Sequence, residues 1–172
     1  MLPIISHDYS RETLGMFKLV CDARNFEIRT KKVYDEGLMK MPIYLALGQE
    51  SISAALATVY KNPYIFAQHR AHDIYLSYGG EIKALIDELL HQPTGCARGM
   101  GGSASIHSPA IKMFGHSGLM GDQIPISVGF SMGIKSGERV LAVMGDASAE
   151  EDYVLGALGY AATKKLPVLF VC

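Results

Sequence analysis

Residues 139–172 read RVLAVMGDASAEEDYVLGALGYAATKKLPVLFVC. The apolar run at 139–144 is typical of a buried strand, and Gly145-Asp146 predicts a turn after it. A helix is expected from Ser148 to Lys164 or Lys165, followed by a second strand at 168–172. Strand, helix and strand in this order form a βαβ unit, whose two strands pair in parallel. We therefore predict an α/β fold, a doubly wound and mainly parallel sheet with helices on both faces.

The first half of the chain reads mainly as helices. Ser10 is a candidate N-cap for a helix that runs to about Glu36, with Gly37 just beyond its end. Apolar side chains recur along it at helical spacing and are expected to face the core; they are Leu14, Phe17, Cys21, Ile28 and Val33. A second helix is predicted from Gly48 through Tyr60.

The middle of the chain alternates compact elements with one long irregular segment. Residues 64–67 predict a short buried strand, and residues 81–91 an amphipathic helix with Ile82, Leu85, Ile86 and Leu89 on one side. Seven glycines fall between positions 95 and 121, which predicts a long irregular segment of the kind that is usually functional. A helix is expected from Gln123 to Gly137, and its Gly129 and Gly133 would let a neighbouring backbone approach closely.

Composition restricts the kind of protein. The 172 residues are 49% hydrophobic and 19% charged, which indicates one folded domain over residues 1–172, with a helical segment at about 10–37. Sixteen basic and seventeen acidic residues leave a net charge of −1, so no nucleic-acid or membrane partner is expected. Three unpatterned cysteines indicate neither disulfides nor a zinc site. The first eight residues do not resemble a signal peptide, and we expect a cytoplasmic protein.

The strongest local signal for chemistry is Asp146. It follows an apolar strand and precedes a helix, and ligands of open α/β sheets bind at the carboxyl ends of the strands. Backbone N–H groups at a helix N-terminus favour phosphate, and a carboxylate beside phosphate suits Mg²⁺. Alternatively, Asp146 only caps the helix, which contributes about 1 kcal/mol.

Five motifs in series extend this interpretation. Gly145-Asp146-Ala147 resembles the Gly-Asp-Gly half of the thiamine diphosphate motif. The motifs at 48–50, 69–72, 95–103, 118–125 and 165–172 occur around it in the matching order. From about Met16 onward the chain resembles the α subunit of the thiamine-diphosphate-dependent decarboxylating component of 2-oxo acid dehydrogenases, of the pyruvate, acetoin and branched-chain types. The resemblance implies a thiamine diphosphate-binding fold.

The resemblance implies roles for the 69–72 motif. Arg70 would bind the diphosphate, a bidentate task that suits a guanidinium. His69 stands where the family usually has a tyrosine that contacts the same phosphate. His72 matches the family's histidine near the reacting carbon and would be the catalytic acid or oxyanion stabiliser. Alternatively, His72 is a histidine whose ring is hydrogen-bonded within the start of a helix.

The remaining implied site residues bind the cofactor. Gly118 and Met120 match positions that hold the aminopyrimidine in its bent shape, although a lone methionine is often simple core. Gly145 and Ala147 would contact the diphosphate, and Asp146 would be a Mg²⁺ ligand. Ala147 replaces the last glycine of the motif, which is tolerable if its φ is negative.

Several positions depart from the family pattern. His107 sits two places later than the family's histidine, either displaced by a local insertion or simply on the surface. Three acids at 150–152 replace the usual Asn-Gln-Gly and place negative charge near a diphosphate. Glu50 is expected to order the second helix rather than to activate the cofactor. Cys96 has no base paired with it in the sequence, so no catalytic cysteine is predicted.

The resemblance implies a thiamine-diphosphate- and Mg²⁺-dependent oxidoreductase that decarboxylates a 2-oxo acid and passes the acyl group to a lipoyl carrier. A β subunit would supply the activating glutamate, in an α₂β₂-type assembly, and a lipoyl-bearing acyltransferase is a possible further partner. In the family, the residues that complete the Mg²⁺ site follow the strand that ends here at Cys172, so the sequence resembles an N-terminal part. Two alternatives stay open: a transketolase- or synthase-like thiamine enzyme, and a non-catalytic remnant or assembly subunit.

Overall fold

A four-stranded parallel sheet organises the molecule. The structure, a computed structural model, describes residues 10–172, so the prediction about a signal peptide lies outside the described residues. The strands are β1 (Tyr64–Phe66), β2 (Met113–Phe114), β3 (Val140–Val143) and β4 (Val168–Val171). Their order is β2-β1-β3-β4 and every pair is parallel. The predicted βαβ pairing of β3 with β4 is confirmed, and β2, a two-residue strand within the glycine-rich segment, was not predicted.

The strand order creates a crevice between β1 and β3. The chain leaves β1 toward one edge of the sheet to form β2, and then returns to the other side of β1 to form β3. Phe66 at the end of β1 lies beside Ala142 of β3, so the carboxyl ends of the two strands are adjacent. Ligands of open α/β sheets bind where the order reverses in this way.

Seven helices surround the sheet in the described part of the chain. They are α1 (Arg11–Asp35), α2 (Glu50–Val59), α3 (His72–Ser77), α4 (Ile82–Leu89), α5 (Gln123–Ser131), α6 (Asp146–Ala149) and α7 (Asp152–Lys164), with a 3₁₀ turn at Pro109–Ile111. Within residues 10–172 no helix combines the length and the apolar character that a membrane crossing needs.

The helices cover both faces of the sheet, as predicted. On one face, Leu141 and Leu169 pack with side chains of α1, α3 and α4, such as Phe26, Tyr75 and Leu85. On the other face, Ala142 and Phe170 pack with side chains of α5 and α7. Alternate residues of one strand point to opposite faces, so β3 and β4 contribute to both cores, which explains their uninterrupted apolar sequences.

The apolar face predicted for α1 is wrong for three of its residues. Ser10 caps the helix through a hydrogen bond from the Thr13 amide, as expected. However, Leu14, Phe17 and Ile28 are 56%, 63% and 54% exposed. The buried residues of α1 lie on the nearly opposite side, at Ala23, Phe26, Glu27 and Thr30. The buried face contains the carboxylate of Glu27, and a pattern of apolar residues does not point to a face that contains a charged residue.

Three further element predictions need correction. The helix expected from Gln123 to Gly137 ends at Ser131, and a Cβ on Gly129 would meet nothing within 4 Å, so no backbone of the described chain approaches there. The helix expected from Ser148 is two helices, because the backbone of Glu151 is extended between α6 and α7. In α4, Leu85 and Leu89 are buried as predicted, but Ile82 and Ile86 are 52% and 40% exposed.

Candidate functional site

A cavity of about 630 Å³ opens at the carboxyl ends of β1 and β3. Its wall is formed by the segment after β1, the turn after β3, the first turns of α2 and α3, and Val171-Cys172. Six of the eight predicted site residues line it: His69, Arg70, Met120, Gly145, Asp146 and Ala147. The fold therefore brings together residues that lie up to 78 positions apart in the sequence, from His69 to Ala147.

Asp146 is an exposed carboxylate in the first turn of α6. Gly145 is the N-cap, and no side-chain hydrogen bond caps this helix, so Asp146 does not have the capping role considered as an alternative. The first N–H groups of a helix lack intrahelical partners and carry partial positive charge. Among residues 10–172 no group of three or more His, Cys, Asp or Glu side chains could hold a metal, so Asp146 is not part of a preformed cluster of protein ligands.

Gln68 connects the segment after β1 to the turn after β3. Its Oε1 accepts a hydrogen bond from the Gly145 amide at 2.7 Å, and its Nε2 donates to Ser148 Oγ at 2.9 Å. Ser148 Oγ in turn donates to the Gly145 carbonyl. Sequence reasoning missed Gln68, because nothing in its local pattern marks a contact across nearly eighty residues.

Arg70 and His69 bring a cation and an imidazole to the cavity. Arg70 is exposed, and its Nη1 donates to the Leu45 carbonyl at 2.6 Å. The His69 ring stands edge-on to Tyr44, with 4.9 Å between ring centroids. Burial lowers the pKa of His69, and the neighbouring Arg70 and His116 lower it further. His69 Nδ1 is buried and has no hydrogen-bond partner within residues 10–172.

His72 lies behind the cavity wall rather than on it. The residue is fully buried, and its Nδ1 is 3.1 Å and 3.2 Å from the two carboxylate oxygens of Glu27. Its Nε2 is 2.9 Å from Ser103 Oγ, which also accepts a hydrogen bond from the Tyr44 amide. The ring thus connects α1, the start of α3 and the glycine-rich segment. This geometry matches the alternative of a histidine hydrogen-bonded at a helix start.

His116, which sequence reasoning missed, shapes the segment that carries Gly118 and Met120. Its Nδ1 accepts the Gly118 amide and its Nε2 donates to the Leu119 carbonyl, both at 3.1 Å. Gly118 has φ +101° and lies off the cavity wall. Met120 lines the cavity, while its carbonyl accepts the hydroxyl of Tyr153.

The glycine-rich segment at 95–102 encloses a carboxylate of the chain itself. Glu88 is fully buried at the end of α4. Its Oε2 accepts the Ala97 and Gly99 amides at 2.7 and 2.9 Å, and its Oε1 accepts the Gly101 and Gly102 amides at 2.8 and 2.9 Å. Four backbone donors converge on one carboxylate, an arrangement that elsewhere binds phosphate. These glycines therefore surround Glu88 and do not line the cavity.

The positions that depart from the family pattern are also located. His107 is exposed and outside the cavity wall, which agrees with a surface residue. Glu50 is buried and pairs with Arg24 at 2.6 Å, and it also accepts the Gly48 amide, so it orders the start of α2 as expected. Mainly through the hydrogen bond from Arg24, the pKa of Glu50 is lowered to about 2. Burial raises the pKa of Cys96 to about 11, and this residue lies away from the cavity, as expected of a non-catalytic cysteine.

The cavity contains one more titratable residue that sequence reasoning missed. Asp73, in the first turn of α3, is 3% exposed and lines the wall beside Ser53 and Ile74. Burial is the main cause that raises its pKa to about 6. No motif pointed to this residue.

Comparison with known proteins identifies the family. The family model "Dehydrogenase E1 component" matches residues 18–172. The pyruvate dehydrogenase E1 component subunit alpha of Zymomonas mobilis is 32% identical over 170 residues, which are 96% of this chain and 48% of that protein. The testis-specific, mitochondrial form of the same subunit from Rattus norvegicus is 30% identical over 165 residues, which are 94% of this chain and 42% of that protein. The chain thus spans just under half the length of these relatives. It belongs to the dehydrogenase E1 component family.

Proposed function

We propose that this chain forms the diphosphate- and Mg²⁺-binding part of the α subunit of a thiamine-diphosphate-dependent enzyme that oxidatively decarboxylates a 2-oxo acid. The observation that carries the proposal is the position of Asp146. Its carboxylate forms no salt bridge within residues 10–172 and stands in the single turn of α6 that follows β3, in the same cavity as Arg70 and Met120. The family match supports the same cofactor.

The cavity residues suit a diphosphate with its metal ion. The first-turn amides of α6 and the guanidinium of Arg70 are anion-binding groups, and the ring of His69, which lines the same cavity, would add a polar contact. Asp146 would ligate Mg²⁺, which commonly uses one or two carboxylates together with phosphate oxygens. Bound thiamine diphosphate would supply a nucleophilic carbon for the 2-oxo group and accept electrons as CO₂ leaves. Met120 would support the bent cofactor, with Gly118 on the loop that His116 braces.

The catalytic role of His72 stays a prediction. To touch a substrate, its ring would have to leave both Glu27 and Ser103, because neither ring nitrogen faces the cavity in this structure. The contacts support a positioning role, in which His72 fixes the start of α3 and with it Arg70 and Asp73.

Substrate and partners follow from the relatives. Because the similar proteins are named pyruvate dehydrogenase subunits, we propose pyruvate as the 2-oxo acid. A lipoyl group as the acyl acceptor stays a prediction. A β subunit would complete the site with its activating glutamate. A cytoplasmic location stays a prediction, and the name of the Rattus norvegicus relative places that protein in mitochondria.

The test is a calorimetric titration of thiamine diphosphate, with and without Mg²⁺, into the chain alone and into the chain combined with its β subunit. We expect Mg²⁺-dependent binding, loss of that dependence in Asp146→Ala, and no change in Glu150→Ala. Glu150 is an exposed carboxylate near the same turn that does not line the cavity, which makes it the matched control. Unchanged affinity in Asp146→Ala would refute the assigned role. Absence of binding under every condition would instead favour a non-catalytic subunit.

A further inference from the structure

Asp73 is a carboxyl group built into the wall of the cavity. It lies in the first turn of α3, and its Oδ1 accepts the Ile74 amide at 2.8 Å. The side chain is almost completely buried, yet Asp73 lines the same cavity as Arg70 and Asp146. It forms no salt bridge within residues 10–172.

The charged groups around Asp73 do not favour its ionised form. Burial is the largest cause that raises the pKa of Asp73, whereas hydrogen bonds from the Ser53 hydroxyl and the Ile74 amide lower it. From α1, the carboxylate of Glu27 raises it, and His72 on α3 lowers it. From α2, Glu50 is already neutralised by Arg24, and the hydroxyl of Ser53 is the polar group beside Asp73. In the segment before α3, burial and the charge of Arg70 lower the pKa of His69, and the guanidinium of Arg70 donates a hydrogen bond to the Leu45 carbonyl. Burial outweighs these contacts and brings the pKa of Asp73 to about 6.

A carboxyl group in this setting changes its role with its proton. Ionised, it repels an anion that enters the cavity. Protonated, it has an O–H that donates a hydrogen bond, and a hydrogen bond to an anionic oxygen is among the stronger kinds. An anion in the cavity therefore stabilises the protonated form.

We propose that Asp73 is a ligand-binding residue that acts in its protonated form, donating a hydrogen bond to an anionic oxygen of the ligand in this cavity. The proposal rests on the proposed function, which makes that ligand a diphosphate. Each binding event at neutral pH then takes up a proton from solvent onto Asp73.

The sign of the pH dependence follows from linkage. Below about pH 6 Asp73 already carries its proton in the free protein, so affinity is insensitive to this group. Above that pH the free protein must bind a proton before the ligand is accommodated. Affinity then falls by up to tenfold for each pH unit until the pKa of the bound form is passed.

The experiment titrates thiamine diphosphate with Mg²⁺ into the chain combined with its β subunit, between pH 5.5 and pH 8. Calorimetry in two buffers of different ionisation enthalpy gives the number of protons taken up. Asp73→Asn keeps the size and an N–H donor but cannot titrate. Glu151→Gln removes an exposed carboxylate that lines the same cavity and serves as the control for a simple change of charge.

We expect the wild type to take up more protons than Asp73→Asn at pH 7, by as much as one proton, and to lose affinity more steeply with rising pH. Glu151→Gln should keep the proton uptake of the wild type. Equal proton uptake and equal pH slopes in the wild type and Asp73→Asn would overturn the proposal and leave the proposed function standing. Failure of the wild type to bind at any pH would overturn the proposed function, and this inference with it.

A measurement on the unaltered protein covers the case in which Asp73→Asn does not fold. The ¹³C resonance of the Asp73 carboxyl is followed through a pH titration with and without thiamine diphosphate and Mg²⁺. We expect the ligand to move the Asp73 titration to higher pH. A titration that ligand leaves unmoved, or moves to lower pH, would contradict the proposal.

Discussion

Two segments of this molecule offer backbone amides to an anion, and they differ in where the anion comes from. In the segment 97–102, four amides converge on the buried carboxylate of Glu88. In the turn 145–148, the Gly145 amide bonds to Gln68, and the following amides begin a helix at the wall of an open cavity. The comparison teaches that many glycines do not by themselves mark a ligand site. What matters is whether the chain already supplies the anion.

The largest expected effect follows removal of the internal anion. Glu88→Ala leaves four backbone donors without their acceptor, at a cost of about 1–3 kcal/mol for each buried group. We expect the free energy of unfolding to fall by about 4 kcal/mol or more, which approaches the whole stability of a typical domain. Urea denaturation measures it, with Glu12→Ala, an exposed carboxylate on α1, as the control. A loss below about 1 kcal/mol would show that Glu88 does not hold the segment.

A pair of glycine substitutions sharpens the same comparison. A Cβ on Gly101 would stand 2.0 Å from the Ser105 carbonyl oxygen, so Gly101→Ala must displace backbone. A Cβ on Gly145 would meet the tip of the Gln68 side chain at 3.3 Å and Ser148 Oγ at 3.9 Å, and its φ of −81° suits alanine. We expect a loss of about 2–3 kcal/mol for Gly101→Ala and less than about 1 kcal/mol for Gly145→Ala, by thermal unfolding. Equal losses would contradict this difference between the segments.

The next effect concerns ligand affinity rather than stability. Arg70 lines the cavity, whereas Arg98 is an exposed arginine of the glycine-rich segment that lies outside it. Arg70→Gln should weaken binding of thiamine diphosphate by about 10- to 100-fold, because a hydrogen bond to a charged group contributes about 1.5–3 kcal/mol. Arg98→Gln should leave the affinity within about twofold. Calorimetric titration measures both affinities. Equal effects of the two variants would show that Arg70 does not bind the ligand.

The smallest predicted effect is a pH-dependent stability. The pKa of Asp73 is raised from 3.8 to about 6 in the folded protein, so the folded state binds the proton more tightly than the unfolded state. Stability therefore falls as pH rises from about 4 to about 6, and Asp73→Asn avoids that loss. Between pH 4 and pH 7 we expect the stability of the variant, measured against wild type by denaturation at both pH values, to improve by about 2 kcal/mol. A difference that does not change with pH would contradict the raised pKa.

The sequence predicted the parts that depend on local pattern. The apolar runs at 139–144 and 168–172 predicted two parallel strands, and the position of Asp146 after the first of them predicted a carboxylate at the carboxyl edge of the sheet. The resemblance implied that Arg70 and the turn at 145–147 bind the same diphosphate, and His69, Arg70 and the turn line one cavity, whereas His72 does not. Each of these signals lies within a few residues.

The contacts that the sequence did not reveal join distant segments. Gln68 bonds to residues 77 and 80 positions away, and Glu27 to His72, 45 positions away. On α1 the apolar periodicity pointed to Leu14, Phe17 and Ile28, but the buried face contains Glu27, because a buried His72 is its partner. Hydrophobic patterns cannot show that a charged residue is buried when its partner lies on another element.

Hydrogen exchange of individual amides tests the comparison between the two segments most directly. Thiamine diphosphate and Mg²⁺ are added to the chain combined with the proposed β subunit, and exchange is compared at residues 145–149 and 97–102. We predict slower exchange at 145–149 after ligand addition and no change at 97–102, because the amides in 97–102 already donate hydrogen bonds to Glu88. The account would be contradicted if the ligand slowed exchange at 97–102 and left exchange at 145–149 unchanged. The ligand would then be bound by the segment whose amides we assign to Glu88.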